Sequence, residues 1–413
     1  MNLLLINAYF TPEVIAFTHL EKDLIEGLLA AGHNLSVLCP TPTRGIDAET
    51  ARTYRSIKNE ELYNGRASVR RFLAPREGRN PLVRAFRYFW CNLRQYQLGK
   101  RYADIDAVFC VSTPPTQGVL CAKVAKKLSK KYGSKVPFVY NLQDIFPDSL
   151  VTTGLTKKGS LLWKLGRKIE NYTYAHADKI IVISESMKQN IMEKGVPEGK
   201  ITVVSNWIDT EVTKPVPKED NPLFDEFGIA RDKFTVVYAG NFGKAQGAQV
   251  VLDAAEKLAD RDDVQFVVFG GGAEFAAAKE CAASMENVII HPLLPQERVP
   301  EVYSLGDVAL ITCKKGVGNS GMPSKTWSIM ACDKPIIAAF DTDSELAAIL
   351  SQADAGIAIE PENTVALADA ILAVKNGEIL PRGGRAFVCE NAEKKLCVSK
   401  YVEILKDCVE NAR

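Results

Sequence analysis

What this sequence lacks narrows its function before any motif is read. No run of about 18 apolar residues occurs, so no membrane-spanning helix is expected. The N-terminus enters "NLLLINAYF" without a basic leader, so no signal peptide is expected and the chain reads as cytoplasmic. Ten cysteines are present, but none forms a Cys-x-x-Cys pair, and several stand inside apolar segments such as "AVFCV" and "LITC". They read as small buried hydrophobes in a reducing compartment. The four histidines are far apart and give no metal-ligand spacing, so no metal site is expected. "NAYFTPE", after the first strand pattern, has no Gly-x-Gly-x-x-Gly, which argues against a dinucleotide dehydrogenase.

What is present is an ordinary globular composition, 46% hydrophobic and 24% charged, with an uneven charge distribution. Residues 1–200 hold 30 Lys+Arg against 18 Asp+Glu, whereas 201–413 hold 21 against 32. Such asymmetry predicts two domains with different partners, the basic one facing something anionic. Strand and helix patterns alternate throughout. Strands read at "NLLLIN", "LSVLC", "ASVRRFL", "DAVFCV", "PFVYN", "KIIVIS" and "ITVVS", then again from "KFTVVYAG" through "VQFVVFG", "NVIIH", "DVALIT", "KPIIAAF" and "AGIAIE". Between the two series lies "IDTEVTKPVPKEDNP", rich in proline and charge, which reads as the connection. Continuous apolar strands bounded by helices predict parallel sheets covered on both faces. The expected fold class is α/β, with two Rossmann-like doubly wound domains, 1–207 and 208–390, facing across a cleft. The last segment, "CENAEKKLCVSKYVEILKDCVENA", reads as one helix.

Three loops of the second half point to a phosphate. The stretch "YAGNFGKAQGAQVVLDAA" is strand, glycine-rich turn and helix, which lets backbone N–H groups approach an anion, with Lys244 adding a point charge. In "VVFGGGAEF", three glycines including Gly271 permit close approach. In "VGNSGMPSKTWSIMACDKPIIAAF", Lys325 stands in the first turn of a helix after Pro323 and Ser324. A cation there opposes the helix dipole by ~0.3–1 kcal/mol. A bound diphosphate would neutralise both.

The chain resembles glycosyltransferase family 4, the retaining transferases of the GT-B fold, and within it the bacterial enzymes of capsule, O-antigen and colanic acid assembly. The resemblance is carried by "YFTPE", "VSTPPTQGVLCAKVAKKL", "NLQDIFPDSLVTTG", "ADKIIVISESMKQNIMEKGVPEGKITVVSNWID", "YAGNFGKAQG", "FGGGAE", "SGMPSKTWSIMACDKPIIA" and "ENTVALADAIL". "DIFPDSLVTTG" and "MPSKTWSIMA" belong to that subgroup. The resemblance implies a nucleotide-diphospho-sugar donor, a UDP-sugar in most of the family, held by the C-terminal domain as substrate and not as a cofactor. Its diphosphate would lie against Gly240, Asn241, Gly243 and Lys244 on one side and Ser320, Gly321, Met322, Ser324 and Lys325 on the other. The uracil would lie near Leu293, and a final helix, 391–413, would cross back to the N-terminal domain. The chain departs from the family at five positions. Asn241 and Gln246 stand where it has an Arg and a Lys, and Ser320 and Ser328 where it has two glutamates. Glu345 either takes the ribose contact or is a solvated helix-start carboxylate. Ala16 stands where the family has glycine close to the diphosphate.

The chemistry expected is transfer from a diphosphate leaving group whose developing charge is met by lysines and N–H groups. The transfer is expected to be metal-independent, with lysines and helix dipoles in the place of a metal. Asp144, in "NLQDIFPDS", either orients the acceptor hydroxyl or forms an Asx turn before "FPD". In residues 79–101, six basic residues interleave with Phe86, Tyr88, Phe89, Trp90 and Tyr96 and no acid interrupts them. Such a segment fits an anionic membrane surface. Core packing also explains part of it, and no RNA-binding motif accompanies it, so no nucleic acid is expected. The expected function is transfer of a hexosyl or N-acetylhexosaminyl unit to a polyprenyl-diphosphate-linked glycan, by a protein peripheral on the inner face of the cell membrane. The alternatives are a sugar-nucleotide epimerase of the same fold and a non-catalytic nucleotide-sugar-binding subunit.

Overall fold

The computed structural model describes residues 1–413 apart from 14–16, 76, 78–79, 153 and 319–320. The contacts divide it into two compact units, Met1–Ser205 with Lys395–Arg413, and Asn206–Lys394.

The first unit runs β1 (Asn2–Ile6), α1 (Thr18–Ala30), β2 (Asn34–Pro40), α2 (Ala48–Tyr54), β3 (Asn59–Leu62), β4 (Ala67–Phe72), α3 (Pro81–Gly99) and β5 (Ala107–Val111). It continues with α4 (Gln117–Tyr132), β6 (Phe138–Leu142), α5 (Asp148–Thr152), α6 (Leu161–His176), β7 (Lys179–Val182), α7 (Glu185–Glu193) and β8 (Ile201–Val203). The strands form one sheet in the order β3-β4-β2-β1-β5-β6-β7-β8. All neighbours are parallel except β3, which pairs antiparallel with β4. The central strands are mostly apolar because helices cover both faces: all five residues of β6 are buried, Asn141 among them.

β3 has no counterpart in the expected strands. Its sequence "NEEL" is polar and alternates half-buried with exposed residues, as an edge strand should. The turn that returns it to β4 has positive φ at Tyr63, Asn64 and Gly65. The Asn-Gly pair is the signal by which sequence reasoning reaches this hairpin.

The second unit runs α8 (Leu223–Glu226), β9 (Phe234–Asn241), α9 (Gln249–Lys257), β10 (Val264–Gly271), α10 (Phe275–Ala282), β11 (Val288–Pro292), α11 (Val299–Ser304) and β12 (Val308–Thr312). Then come α12 (Lys325–Ala331), β13 (Ile336–Ala339), α13 (Glu345–Gln352), β14 (Gly356–Ile359), α14 (Thr364–Lys375) and α15 (Arg385–Asn391). Its six strands are all parallel, in the order β11-β10-β9-β12-β13-β14. The last helix of the chain, α16 (Lys394–Glu410), belongs from Lys395 onward to the first unit. The single C-terminal helix expected from the sequence is therefore two. The chain leaves helical geometry at Ala392, and Glu393 forms an isolated bridge to Ile208.

Eight of the ten cysteines are buried, Cys281 and Cys389 are exposed, and all are free. Among the described residues no helix is long and apolar enough to cross a membrane, and no His/Cys/Asp/Glu cluster is arranged to hold a metal.

Helices α4 and α6 meet at Gly118, where a Cβ would stand 2.2 Å from Thr173 Cγ2 and 3.0 Å from a Tyr140 ring carbon. Alanine favours a helix over glycine by ~1 kcal/mol, but overpacking a stiff β-branched neighbour costs about 1–3 kcal/mol. Gly118→Ala is expected to lower the unfolding free energy by about 1–2 kcal/mol in urea titration. A gain in stability would show that the helices do not approach so closely.

Candidate functional site

In the second sheet, strands β9, β10 and β11 step one way from the centre, and β12, β13 and β14 step the other. The reversal falls between β9 and β12. At such a point the loops leaving the carboxyl ends of the two strands part and open a crevice. A pocket of about 560 Å³ lies there, lined by the ends of β9 and β12, the segment after β11, and the loop entering α12.

The loops are tied to one another through backbone contacts. Thr312 Oγ1 donates to the Gln246 carbonyl at 2.7 Å, and Lys314 N donates to Ala245 O at 3.0 Å. Gly247 has φ +56° and carries no Cβ where Cys313 O would be 3.0 Å away, so only glycine fits that close approach without strain. Asp341, at the end of β13, accepts from Gly316 N at 2.9 Å and Gly318 N at 2.7 Å, which orders the loop after β12. Asn241 Nδ2 donates to Gln246 Oε1 at 3.2 Å, so these two loop residues form a neutral pair.

Lys325 is the charged group of the pocket. It is the first residue of α12, and it lines the cavity together with Gly240, Asn241, Leu293, Gly321, Met322 and Ser324. The residue as a whole is half-buried, but its Nζ is sealed from solvent and has no hydrogen-bond partner among the described residues. The amine lies over the Tyr238 ring, 4.1 Å from the centroid. A Cβ on Gly240 would come within 2.8 Å of it, so the glycine admits the amine. Burial alone pushes its pKa down from 10.5 to about 7. Tyr238 donates its hydroxyl to Asn241 O at 3.1 Å and is itself pushed up to about 12 by burial. Nothing in the sequence pattern singled out Tyr238, which reads as strand filler in "VVYAG".

The other expected residues fall as follows. Lys244 is exposed on the loop after β9 and, like Gly243, is not among the pocket-lining residues. Gly271 ends β10 and supports the pocket from behind, since a Cβ there would stand 3.3 Å from Leu293 Cδ1. Glu345 opens α13, behind the Ser344 cap, and does not line the pocket. Ser320 and Ala16 lie outside the described residues.

Asp144 belongs to the first unit, after the carboxyl end of β6. Burial by neighbouring atoms raises its pKa, while hydrogen bonds from the Ser149 hydroxyl and the Ile145 N–H lower it. The Ile145 contact is the local turn geometry that "DIFPD" allows. The residue as a whole is exposed, although neighbouring atoms crowd its carboxylate. Nearby, Lys194 bridges Asp148 at 2.6 Å and the buried Glu170 at 3.0 Å. In "YFTPE", Glu13 is buried and accepts N–H bonds from Phe10, Thr43 and Arg44 at 3.2, 2.7 and 3.0 Å, tying the loops after β1 and β2 together. Arg87 is a correction to the expected membrane-facing segment. It is wholly buried, donating to Pro75 O and Thr43 Oγ1, because its position on α3 faces the sheet. Arg79 of that segment lies outside the described residues.

A crevice at the switch point of a parallel sheet covered by helices is where doubly wound α/β proteins bind their ligands. Residues 22–212 match the model described as Glycosyltransferase Family 4, and 233–376 match Glycosyl transferases group 1. The chain belongs to glycosyltransferase family 4, and its fold is GT-B. It is 28% identical over 93% of its length to "Probable glycosyltransferase WbjE" of Pseudomonas aeruginosa, covering 90% of that protein. It is 25% identical over 92% of its length to WcaI of Escherichia coli (strain K12), whose name assigns it to colanic acid biosynthesis, and covers 93% of it. Among solved structures, sucrose-phosphate synthase from Thermosynechococcus elongatus is similar with TM-score 0.74 at 15% identity, over 100% of both chains. Anabaena HepE in complex with UDP is similar with TM-score 0.70 at 16% identity, over 98% of this chain and 100% of that one.

The buried amine sets a stability test. Between pH 7 and 10.5 the unfolded chain holds a proton on Lys325 that the folded chain has released, so its contribution to stability rises with pH across that window. An unpartnered buried polar group costs ~1–3 kcal/mol, and the contact with Tyr238 returns ~0.5–2 kcal/mol. Lys325→Met is expected to stabilise the ligand-free protein at pH 6, where the buried amine is charged, and to lose most of that advantage by pH 9, measured by denaturant unfolding. A loss of stability at pH 6 would mean that the amine has a partner in the free protein.

Proposed function

We propose that this glycosyltransferase moves a sugar, with retention at the anomeric carbon, from a nucleotide-diphospho-sugar to a lipid-linked glycan in surface polysaccharide assembly. UDP is the nucleotide we favour, and a polyprenyl diphosphate the acceptor's anchor. The observation that carries the reading is Lys325: a buried amine with no counter-charge, facing a pocket large enough for a nucleotide. The diphosphate supplies the missing charge. Its arrival raises the amine's pKa, so the amine is protonated when the leaving group needs it. As the bond from the anomeric carbon to the diphosphate oxygen breaks, charge gathers on that oxygen, and Lys325 stabilises it. The departing oxygen takes the acceptor hydroxyl's proton on the same face as that hydroxyl's oxygen bonds to the anomeric carbon. This scheme calls on no metal and no cofactor. The HepE complex with UDP and the colanic acid name of WcaI support the nucleotide and the setting. The basic first half of the chain and α3 support a protein peripheral on the inner face of the cell membrane.

Calorimetry with UDP tests the nucleotide site. A charge-assisted hydrogen bond contributes about 1.5–3 kcal/mol, so Lys325→Met is expected to weaken UDP binding by roughly 10- to 150-fold. At pH 8 the wild-type enthalpy should vary with buffer ionisation enthalpy, reporting proton uptake by Lys325, and the variant's should not. Equal affinity in the two proteins would remove Lys325 from the site. Turnover of UDP-sugars with membrane lipid extract tests the acceptor, and donor conversion without acceptor would favour an epimerase instead.

A further inference from the structure

We infer that α3 and α6 together form a two-helix docking face for an anionic lipid bilayer, with the groove between them taking up hydrocarbon. This rests on the reading that the acceptor is lipid-linked, and extends it to a helix that the sequence had not singled out. On α3, Phe86, Phe89, Leu93 and Tyr96 follow at spacings of three and four, and so share one stripe of the helix. On α6, Leu162, Leu165 and Ile169 do the same. The two stripes converge. Phe89, Leu93 and Tyr96 from α3 and Ile169 from α6 line one groove of about 530 Å³, floored by Val119 and Leu120 of α4. Above the groove the stripes run out into solvent, with Phe89 66% and Leu165 56% exposed. An apolar surface shared by two helices that both pack on α4 marks an interaction site, whereas single exposed leucines do not.

The charge around it selects the partner. Helix α3 has no acidic residue, and α4 has none among five lysines. The one acid of α6, Glu170, is buried and held by Lys194 and Arg167. Lys123 on α4 is exposed and lines the groove, Lys164 and Lys168 are exposed on α6, and Lys157 and Lys158 are exposed in the loop leading into α6. Aromatic and leucine side chains ringed by unpaired cations fit acyl chains beneath anionic headgroups, with each cation near the surface adding to the attraction. A second copy of the chain would bring its own cations against these and be repelled.

Flotation of the full chain with vesicles of neutral phosphatidylcholine, with and without phosphatidylglycerol, tests the proposal. Recovery is expected only with the anionic vesicles and should fall in high salt. The pair Leu162→Ser and Leu165→Ser, both exposed in the folded chain, should lower recovery about tenfold with UDP affinity unchanged. Phe89→Ser, across the groove, should act in the same direction. Wild-type recovery in the α6 pair, or equal recovery on neutral vesicles, would overturn the proposal. So would a dimer in ultracentrifugation that the α6 pair dissolves. A chain that floats but does not bind UDP would leave this face standing and remove the nucleotide reading. A chain that binds UDP but does not float would do the reverse.

Discussion

A lysine amine sealed inside a protein with no acid beside it is an expensive arrangement, and much of the second unit makes it possible. The amine of Lys325 has lost its water and, among the described residues, gained only the face of Tyr238. Its pKa has fallen to about 7, so the free protein holds it close to neutral at physiological pH. Folding alone would favour an apolar residue here. The arrangement makes sense when the missing counter-charge arrives from outside, and the pocket beside it has the size and lining of a small-ligand site.

The scaffold around the amine follows from the strand order. Only at the reversal between β9 and β12 do two strand ends part. The loops leaving them are then held at a fixed spacing by Thr312, Lys314 and Asp341. Glycine is required at two of these points for different reasons. Gly240 leaves room for the amine itself, and Gly247 takes a left-handed backbone against Cys313. The acidic balance of residues 201–413 does not reach the pocket lining, which has Lys325 as its one charged residue among those described.

Much of this was legible in the sequence where a local rule was broken or a period was strong. Lys325 stands out because a cation in a first helical turn is electrostatically misplaced. The strands of both sheets stand out because buried parallel strands are continuously apolar. What could not be read depends on three-dimensional direction. Lys244 resembles Lys325 as a cation in a glycine-rich loop, but the loop carries it outward. Arg87 looks like one more exposed base on α3, but the helix turns it into the sheet. Tyr238 looks like any strand aromatic until the amine above it is seen. The break between α15 and α16 falls in an unbroken helical sequence because the chain bridges Ile208 there. The apolar stripe of α6 was missed because it becomes meaningful only beside α3.

The central claim is that the Lys325 amine is held near neutrality until an anion reaches it. Specific isotope labelling of lysine with NMR titration measures that directly. The account predicts a Lys325 pKa near 7 in the free protein, rising by roughly two units or more when UDP is bound. A value near that of an exposed lysine in the free protein, unchanged by UDP, would contradict it.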